Sequence, residues 1–291
     1  MRPRLQHSKP GAWAPSTRWH KLNRLLRAFA CLAVAVSLLP AQTQQQVYER
    51  FRAWISQQPA AVQRGSDADV TSRYRAYLKQ QGFTDADIDS QLRIIDEQGR
   101  RLEIERWNQI LTSEKPFFNT NPNAFLVEMA RGRKPGRALD VGMGQGRNAI
   151  WLAQQGWEVT GFDPAERAVA LARANAEKLG VKLTTEIKGY EDFDFGENRW
   201  DLILLSYVGG REFKEIVSRA LRPGGVVVLE AFHRDATKGG PIGGAVVFDT
   251  AEVPALFPAL RVVRYEEPVA EADFGRGRAR VVRYCAEKPA E

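Results

Sequence analysis

Short apolar runs alternate with helical patterns over the second half of the chain, from Gly136 onward. Each run is bounded by glycine or polar residues, and the stretches between the runs carry apolar residues at helical spacing. The predicted strands are Ala138–Val141, Trp157–Phe162, Val181–Ile187, Asp201–Ser206 and Val226–Phe232, and the predicted helices are Arg147–Gln155, Pro164–Leu179 and Glu212–Leu221. This alternation predicts an α/β fold with a doubly wound, mostly parallel sheet.

Two further strand-like runs lie near the end of the chain. They are Arg261–Tyr265 and Ala279–Cys285, and the loop between them has no helical pattern. A parallel pair needs a long crossover connection, whereas an antiparallel pair does not. The sequence therefore predicts a C-terminal antiparallel hairpin.

A different pattern occupies residues 48–115, where apolar residues recur at spacings of three and four. This spacing predicts helices. Thr84, with Asp87 three residues later, fits the cap of the second helix. We expect an N-terminal helical arm over residues 48–115 and a second domain over residues 116–291.

The first 41 residues have the anatomy of a secretory signal peptide. Residues 1–27 carry seven basic groups and no acid, Ala28–Leu39 is an apolar run, and Pro40-Ala41 follows. The run is well short of the ~20 residues that a membrane-spanning helix needs. We expect export to the periplasm, or membrane tethering through this leader alone. The alternatives are an uncleaved interfacial anchor, or an extension that is never translated and leaves a cytoplasmic protein.

Charge and cysteine usage disfavour several classes of protein. Seven of the 42 Lys and Arg lie in residues 1–27, which leaves 35 basic against 35 acidic residues in the rest of the chain. The net charge of +7 therefore belongs to the leader and gives no support to nucleic-acid binding. Cys31, Cys285 and three scattered His supply neither a disulfide framework nor a zinc-ligand spacing. We predict no metal site.

The most informative segment joins the first predicted strand to the first helix. Here Asp140 is followed by Gly142, Gly144 and Gly146. Glycine lets the backbone bend sharply and approach a ligand, and the following helix offers unpaired N–H groups. A tight turn without a ligand is the structural alternative. Dinucleotide-binding folds more often use G-x-G-x-x-G, whereas G-x-G-x-G beside an acid suits a ligand with a positive charge and an amino group.

A second carboxylate ends the next predicted strand. Asp163 lies seventeen positions after Gly146. A carboxylate at this place accepts hydrogen bonds from ribose hydroxyls in nucleoside-binding α/β folds. Capping of the helix that is predicted to start at Pro164 is the alternative role, and the two roles are compatible.

Taken in order, these motifs make residues 138–232 similar to the class I S-adenosylmethionine-dependent methyltransferases, which are Rossmann-like proteins. The resemblance rests on the L-D-V-G-x-G-x-G turn, the V-T-G-F-D strand end, the W-D-L-I-L strand, and L-R-P-G-G before the fifth strand. The strings G-R-N-A-I-W-L-A and G-W-E-V-T are especially similar to the tellurite-resistance-type branch of small-molecule methyltransferases. The resemblance implies S-adenosyl-L-methionine as cofactor and methyl transfer to a small-molecule acceptor as activity.

The resemblance also implies roles at the donor side. Gly142 and Gly144, in the turn that Gly146 completes, would pass their backbone along the methionine part of the cofactor. Asp140 would lie near the amino end of the cofactor, and Asp163 would hold the ribose.

The segment Gly189–Phe193 corresponds to the adenine-binding segment of the family. The family usually has an acid directly after the glycine, and here that place is taken by Tyr190. Glu191, Asp192 or a backbone N–H is therefore the candidate partner of the adenine amino group, and stacking on the base is an alternative role for Tyr190.

Methyl transfer from a sulfonium is an in-line displacement, so most of the catalytic work is the positioning of donor and acceptor. A general base is needed only if the acceptor arrives protonated. Acceptor-side candidates are Ser206 and Tyr207 after the fourth strand and Glu230 and His233 around the fifth. We name His233 and Tyr207 as catalytic candidates; a strand-end His and a packing Tyr are the structural alternatives.

The glycine-rich stretch Arg234–Asp249 follows the fifth strand. It is predicted to be a flexible loop, which is either a lid or a solvated connection. Two other functions stay open. One is a non-catalytic binding module that keeps the fold. The other is an NAD-dependent oxidoreductase, which shares the glycine turn and the ribose acid but predicts a different glycine spacing.

Overall fold

The computed structural model describes residues 41–59, 62, 67–239, 242, 246–275 and 277–290. Residues 1–40, which hold all but the last residue of the predicted leader, lie outside them. No helix in the described ranges combines the length and the apolar character of a membrane span. Two compact units divide the chain between Arg106 and Trp107.

The described part of the unit that ends at Arg106 is helical. It contains α1 (Ala41–Ser56), α2 (Asp67–Gln80) and most of α3 (Asp85–Leu111). Apolar side chains from these helices share one core, which includes Phe51, Tyr74, Leu78, Ile88 and Ile95. The Thr84 hydroxyl accepts a hydrogen bond from the Asp87 backbone N–H at 3.2 Å, so the predicted cap of α3 is confirmed.

The unit that begins at Trp107 is built on a mixed sheet with helices packed on it. Its strands are β1 (Arg137–Val141), β2 (Glu158–Phe162), β3 (Thr184–Glu186), β4 (Trp200–Ser206), β5 (Leu221–His233), β6 (Val247–Phe248), β7 (Arg261–Glu266), β8 (Val269–Glu271) and β9 (Arg278–Glu287). Its helices are α4 (Ala124–Ala130), α5 (Arg147–Gln154), α6 (Glu166–Lys178), α7 (Lys214–Ala220) and α8 (Glu252–Leu256).

The strand order β3-β2-β1-β4-β5-β9-β7 confirms the predicted fold class. The strands from β3 to β5 run parallel, and β9 is antiparallel to both β5 and β7. The predicted antiparallel pairing of the last two apolar runs is therefore confirmed. The loop between them also holds β8, which the sequence did not indicate and which pairs with β9.

The alternating residues of β4 show why its apolar run is unbroken. Ile203 and Leu205 belong to the core on one face of the sheet, whereas Leu202 and Leu204 belong to the core on the other. Helices cover both faces, as expected for a parallel sheet. Such a strand is predictable from sequence because both of its faces exclude polar residues.

Two predictions near β5 need correction. The predicted fifth strand, Val226–Phe232, is too short: β5 already begins at Leu221, and Arg222, Pro223 and Gly224 form an exposed excursion within it, where the pairing with β4 shifts from Leu221 to Val226. The predicted loop Arg234–Asp249 contains a short 3-10 helix, Arg234–Gly239, and strand β6. A two-residue strand carries too little periodicity to be recognised in a sequence.

One edge of the sheet has the strand order of a ligand-binding site. The chain proceeds from β1 through β2 to β3 on one side of β1, and then through β4 to β5 on the other. The carboxyl ends of β1, β2, β4 and β5 meet at the edge where this order reverses, hereafter the carboxyl edge. Open α/β sheets bind ligands at such a point.

Candidate active site

The glycine turn lies at the carboxyl end of β1. Gly142, Gly144 and Gly146 have φ angles of 64°, 54° and 81°, a region that disfavours residues with a Cβ. The turn is held by hydrogen bonds from the Met143 N–H to the Phe162 carbonyl at 3.0 Å and from the Gly146 N–H to the Met143 carbonyl at 2.9 Å. Glycine is therefore required here by the backbone conformation itself.

Two apolar side chains flank this turn closely. A Cβ at Gly142 would lie 2.5 Å from Cγ1 of Val208, which follows β4, and a Cβ at Gly144 would lie 3.2 Å from Cδ2 of Leu111. Any side chain at Gly142 would collide with its neighbour. The side chains of Val208 and Leu111 therefore lie directly against the bare backbone of the turn, and only glycine leaves room for this contact.

Asp140 places a buried carboxylate beneath the turn. Its Oδ2 atom is buried and has no hydrogen-bond partner among the described residues. Burial raises the pKa of Asp140 to about 7, although the nearby Arg147 opposes the rise. A buried carboxylate oxygen without a partner suits a cationic ligand, because desolvation of the charge is then offset by direct attraction.

Asp163 links the end of β2 to the glycine turn. Its Oδ2 atom accepts a hydrogen bond from the Gly144 N–H at 2.9 Å, and its Oδ1 atom accepts one from the Ala165 N–H at 2.8 Å. Burial raises the pKa of Asp163 to about 6. Each carboxylate oxygen can accept a second hydrogen bond, so the geometry leaves capacity for ribose hydroxyls.

The alternative role of Asp163 at the start of the helix is compatible with the structure, because its Oδ1 atom accepts a hydrogen bond from the Ala165 N–H, although Asp163 does not occupy the N-cap position. Helix α6 begins at Glu166, and Ala165 occupies its N-cap position. The orphan N–H group of Arg167 is instead bound by Asn108 Oδ1 at 2.9 Å, and Asn108 Nδ2 donates to Glu166 Oε1 at 2.9 Å. The cap comes from a distant part of the chain, which no local motif indicates.

The predicted adenine-binding segment lies beside the end of β2. The Phe193 ring stacks on Phe162 with ring centres 4.1 Å apart. The Tyr190 ring contacts Phe213 edge-on, so Tyr190 packs against the core. Glu191 is half-buried and Asp192 is exposed. The roles of the latter two toward adenine stay predictions.

Tyr207 follows β4 with a φ of 57°, an uncommon conformation for a residue other than glycine. Its buried hydroxyl donates a hydrogen bond to Glu230 Oε1 at 3.0 Å and accepts one from the Asp273 N–H at 3.3 Å. Burial, together with the nearby Glu230 and Asp273, raises the pKa of Tyr207 well above its usual value. The phenol is therefore poorly suited to act as a base.

His233 ends β5, and both of its ring nitrogens contact other parts of the chain. Nε2 lies 2.9 Å from Thr250 Oγ1, and Nδ1 accepts a hydrogen bond from the Asp235 N–H at 3.1 Å. The carboxylates of Asp235 and Glu267 lie 3.4 Å and 3.6 Å from the ring nitrogens. The structure thus places His233 in a polar cluster with residues that follow β5. Its catalytic role stays a prediction.

A buried network of polar side chains, hereafter the polar network, crosses the carboxyl edge. Two of its members, Tyr207 and Glu230, are candidates from the sequence, whereas their partners are not. The Asn123 amide donates to Glu230 Oε1 and to Asp273 Oδ2, both at 2.7 Å. The other members are Arg147, which binds Asp273, and Arg283, which binds Glu230. Only spatial proximity connects these residues, so no motif reveals them.

Comparison with known proteins agrees with this geometry. The methyltransferase domain family matches residues 138–225. The probable S-adenosyl-L-methionine-dependent methyltransferase TehB of Haemophilus influenzae is 30% identical over 94 residues, which are 32% of this chain and 32% of that protein. A ubiquinone biosynthesis O-methyltransferase of Alkalilimnicola ehrlichii is 30% identical over 138 residues, 45% of this chain and 56% of that protein.

Other relatives differ in the acceptor that their names state. A ribosomal RNA small subunit methyltransferase C of Alcanivorax borkumensis is 30% identical over 122 residues, 38% of this chain and 37% of that protein. The chain thus spans about a third to just over half of the length of these relatives.

A solved structure shares the fold. The N-methyltransferase NodS from Bradyrhizobium japonicum, in complex with S-adenosyl-L-homocysteine, superposes with a TM-score of 0.50 at 18% identity, over 64% of this chain and 98% of NodS. Residues 138–225 are thus similar in sequence to methyltransferase domains, and the strand order is that of the Rossmann-like class I S-adenosylmethionine-dependent methyltransferase fold.

Proposed function

We propose that this protein transfers the methyl group of S-adenosylmethionine to a small-molecule acceptor by in-line displacement. The observation that carries the proposal is the pair of buried carboxylates, Asp140 and Asp163, on either side of a glycine turn at the carboxyl edge. Bound S-adenosylmethionine supplies an electrophilic methyl group on a sulfonium. The residues present fit such a cofactor, because it combines a cationic amino-acid end with ribose hydroxyls.

Each part of the cofactor has a candidate partner among these residues. Gly142 and Gly144 have no side chain, so we assign their backbone to close approach by the methionine part of the cofactor. The unpartnered oxygen of Asp140 faces a cationic group favourably. Asp163 is held by two backbone N–H groups, so its remaining lone pairs have fixed directions for ribose hydroxyls.

Positioning, rather than proton transfer, is the contribution that we assign to the protein. Displacement at a sulfonium methyl group needs the acceptor atom in line, and a well-ordered site supplies much of the rate enhancement. The Tyr207 hydroxyl and both nitrogens of His233 already have partners in the chain. An acceptor that arrives deprotonated, or that is a neutral nucleophile, needs no base from the protein.

Charge supports a small acceptor over a nucleic acid. Outside residues 1–27 the chain has 35 basic and 35 acidic residues, without the excess of positive charge that a phosphate backbone attracts. The O-methyltransferase relative acts in ubiquinone biosynthesis, which is consistent with a small acceptor. The ribosomal RNA relative makes RNA the alternative to be tested.

Calorimetry of the full chain with S-adenosylmethionine, S-adenosylhomocysteine and NAD tests the donor. We expect the first two compounds to bind and NAD to give no heat. The test can be decided without knowing the acceptor. Binding of NAD alone would overturn the assignment.

Formation of S-adenosylhomocysteine tests the acceptor. The chain is incubated with S-adenosylmethionine and, separately, with phenols, amines, thiols, oxyanions and a ribosomal RNA transcript. We expect turnover with at least one small-molecule class and none with RNA. Turnover with RNA alone would contradict the small-acceptor proposal, and donor binding without any turnover would favour the non-catalytic binding module.

A further inference from the structure

The polar network reaches beyond the part of the chain that matches the methyltransferase family. Asn123, Glu230 and Asp273 lie outside residues 138–225. All three are buried, and all three make side-chain contacts across the carboxyl edge. The methyltransferase domain is therefore completed by residues that precede and follow it in the sequence.

One end of the network holds the helix that follows the glycine turn. Arg147, the first residue of α5, donates from Nη2 to Asp273 Oδ2 at 2.7 Å, and these two side chains are 9% and 6% exposed. The next residue, Asn148, accepts a hydrogen bond at Oδ1 from the Asn123 N–H at 2.8 Å. The start of α5 is thus tied to two segments outside it.

The other end of the network holds the turn after β4. The Asp273 N–H donates to the Tyr207 hydroxyl, which in turn donates to Glu230. Tyr207 has positive φ, a conformation that persists only where surrounding contacts hold it. The following residue is Val208, whose side chain packs against Gly142. Both sides of the glycine turn are therefore connected to Asp273.

We propose that Asp273 is a positioning residue for the methyl donor. Through Arg147 it holds the C-terminal end of the glycine turn, and through Tyr207 it holds Val208 against the other end. It touches neither carboxylate of the donor side, so it acts by keeping the turn in the shape that binds the donor. This inference rests on the proposed function, because the donor in question is S-adenosylmethionine.

The Asp273→Asn variant of the full chain tests this role, because the side-chain shape is kept while the charge that holds Arg147 is lost. The matched control is Asp201→Asn. Asp201 lies at the amino end of β4, opposite the carboxyl edge. Its Oδ2 atom accepts a hydrogen bond from the Arg137 N–H at 2.7 Å. Binding of S-adenosylmethionine and S-adenosylhomocysteine is measured by calorimetry, well below the melting temperature of each variant.

We expect Asp273→Asn to weaken the binding of both compounds about tenfold, within the usual range of coupling between sites. Asp201→Asn should leave both affinities unchanged, whatever it does to the melting temperature. A purely structural cross-link lowers the melting temperature without changing the affinity of the folded protein. Unchanged affinity in Asp273→Asn would therefore overturn the inference.

A double-mutant cycle tests the route through Arg147. If Asp273 acts through Arg147, the affinity losses of Arg147→Gln and Asp273→Asn should not add. The affinity of the double variant should then be close to that of the single variant that binds less tightly. Additive losses would contradict this route.

Amide hydrogen exchange separates this inference from the proposed function. In the ligand-free chain, Asp273→Asn should speed exchange at residues 142–148, whereas Asp201→Asn should not. Unchanged exchange would overturn the claim that Asp273 holds the turn. If the wild-type chain bound neither compound, the proposed function would fail, and with it the role toward the donor.

Discussion

The two halves of the carboxyl edge bury their charges in different ways. At β1 and β2, Asp140 and Asp163 make no ion pair among the residues that the structure describes, and burial raises their pKa values to about 7 and about 6. In the polar network beside them, Glu230 of β5 is bound by Arg283 at 2.6 Å, and Asp273, which follows β8, is bound by Arg147 at 2.7 Å. One half keeps negative charge available for a cation, whereas the other half is internally compensated.

This difference separates the roles of the two halves. A buried charge without a partner costs free energy in the absence of a ligand, and a ligand of opposite charge recovers that cost on binding. A compensated network instead holds its segments together and loses much when one partner is removed. We therefore expect substitutions in the donor half to change affinity and pH dependence directly. Substitutions in the polar network should change stability and, through Asp273, the shape of the glycine turn.

Loss of Arg283 should have the largest effect. Arg283→Gln leaves Glu230, which is 2% exposed, without its cationic partner. We expect the free energy of unfolding, measured with urea, to fall by about 3–5 kcal/mol, as for other broken buried pairs.

The matched control on another strand of the same sheet is Arg261→Gln. Arg261 binds Glu287 at 3.0 Å but is 63% exposed. Its loss should cost less than about 1 kcal/mol. Equal losses of unfolding free energy in the two variants would mean that the buried Arg283–Glu230 pair stabilises the chain no more than the exposed Arg261–Glu287 pair.

The Asp140→Asn variant should change how stability depends on pH. The folded chain binds more protons at Asp140 than the unfolded chain between the unfolded pKa of 3.8 and the folded pKa of about 7. Ionisation therefore destabilises the wild-type chain progressively as pH rises through this window, by about 2–4 kcal/mol at pH 8.

The variant cannot ionise at this position, so its stability relative to the wild-type chain should rise from pH 4 to pH 7 and then level off. Urea unfolding at pH 4.5, 6, 7 and 8 measures this difference. A constant difference over the whole range would mean that Asp140 ionises in the folded chain at its ordinary pKa.

Removal of the second donor-side carboxylate should abolish most cofactor affinity. Asp163→Ala removes the acceptor of the Gly144 N–H as well as the proposed ribose contact. We expect S-adenosylhomocysteine to bind about 100-fold more weakly, equivalent to ~3 kcal/mol of hydrogen bonding to a charged group. Calorimetry with Asp194→Ala, whose side chain is 88% exposed, is the control. Wild-type affinity in Asp163→Ala would remove Asp163 from the site.

The same contrast explains what the sequence could predict. Asp140, Gly142 and Gly144 lie within five consecutive residues, and Asp163 ends the next strand, so local spacing was enough to find them. The polar network instead joins Asn123 to Asp273, which are 150 positions apart. Its members meet only because the sheet brings β4, β5 and the segments beside them to one edge. Likewise, nothing in the sequence near Glu166 indicates that Asn108 caps α6.

The proton balance of cofactor binding should show the smallest effect. A bound cation favours ionised carboxylates, so it should lower the pKa values of Asp140 and Asp163 and release protons near pH 6.5. The heat of S-adenosylmethionine binding, compared in phosphate and Tris buffers at this pH, gives the number of protons released. We expect the wild-type chain to release more protons than Asp140→Asn, by a fraction of one proton.

The difference in proton release between the wild-type chain and Asp140→Asn reports on Asp140 alone, because the amino group of the cofactor titrates equally in both experiments. Burial raises the pKa of Asp140 to about 7, so protonated Asp140 side chains are present near pH 6.5 before the ligand arrives. A cation at the proposed place must displace that proton. Equal proton release by the two proteins would mean that the ligand binds without approaching Asp140. The donor half would then offer the cation no more negative charge than the polar network does.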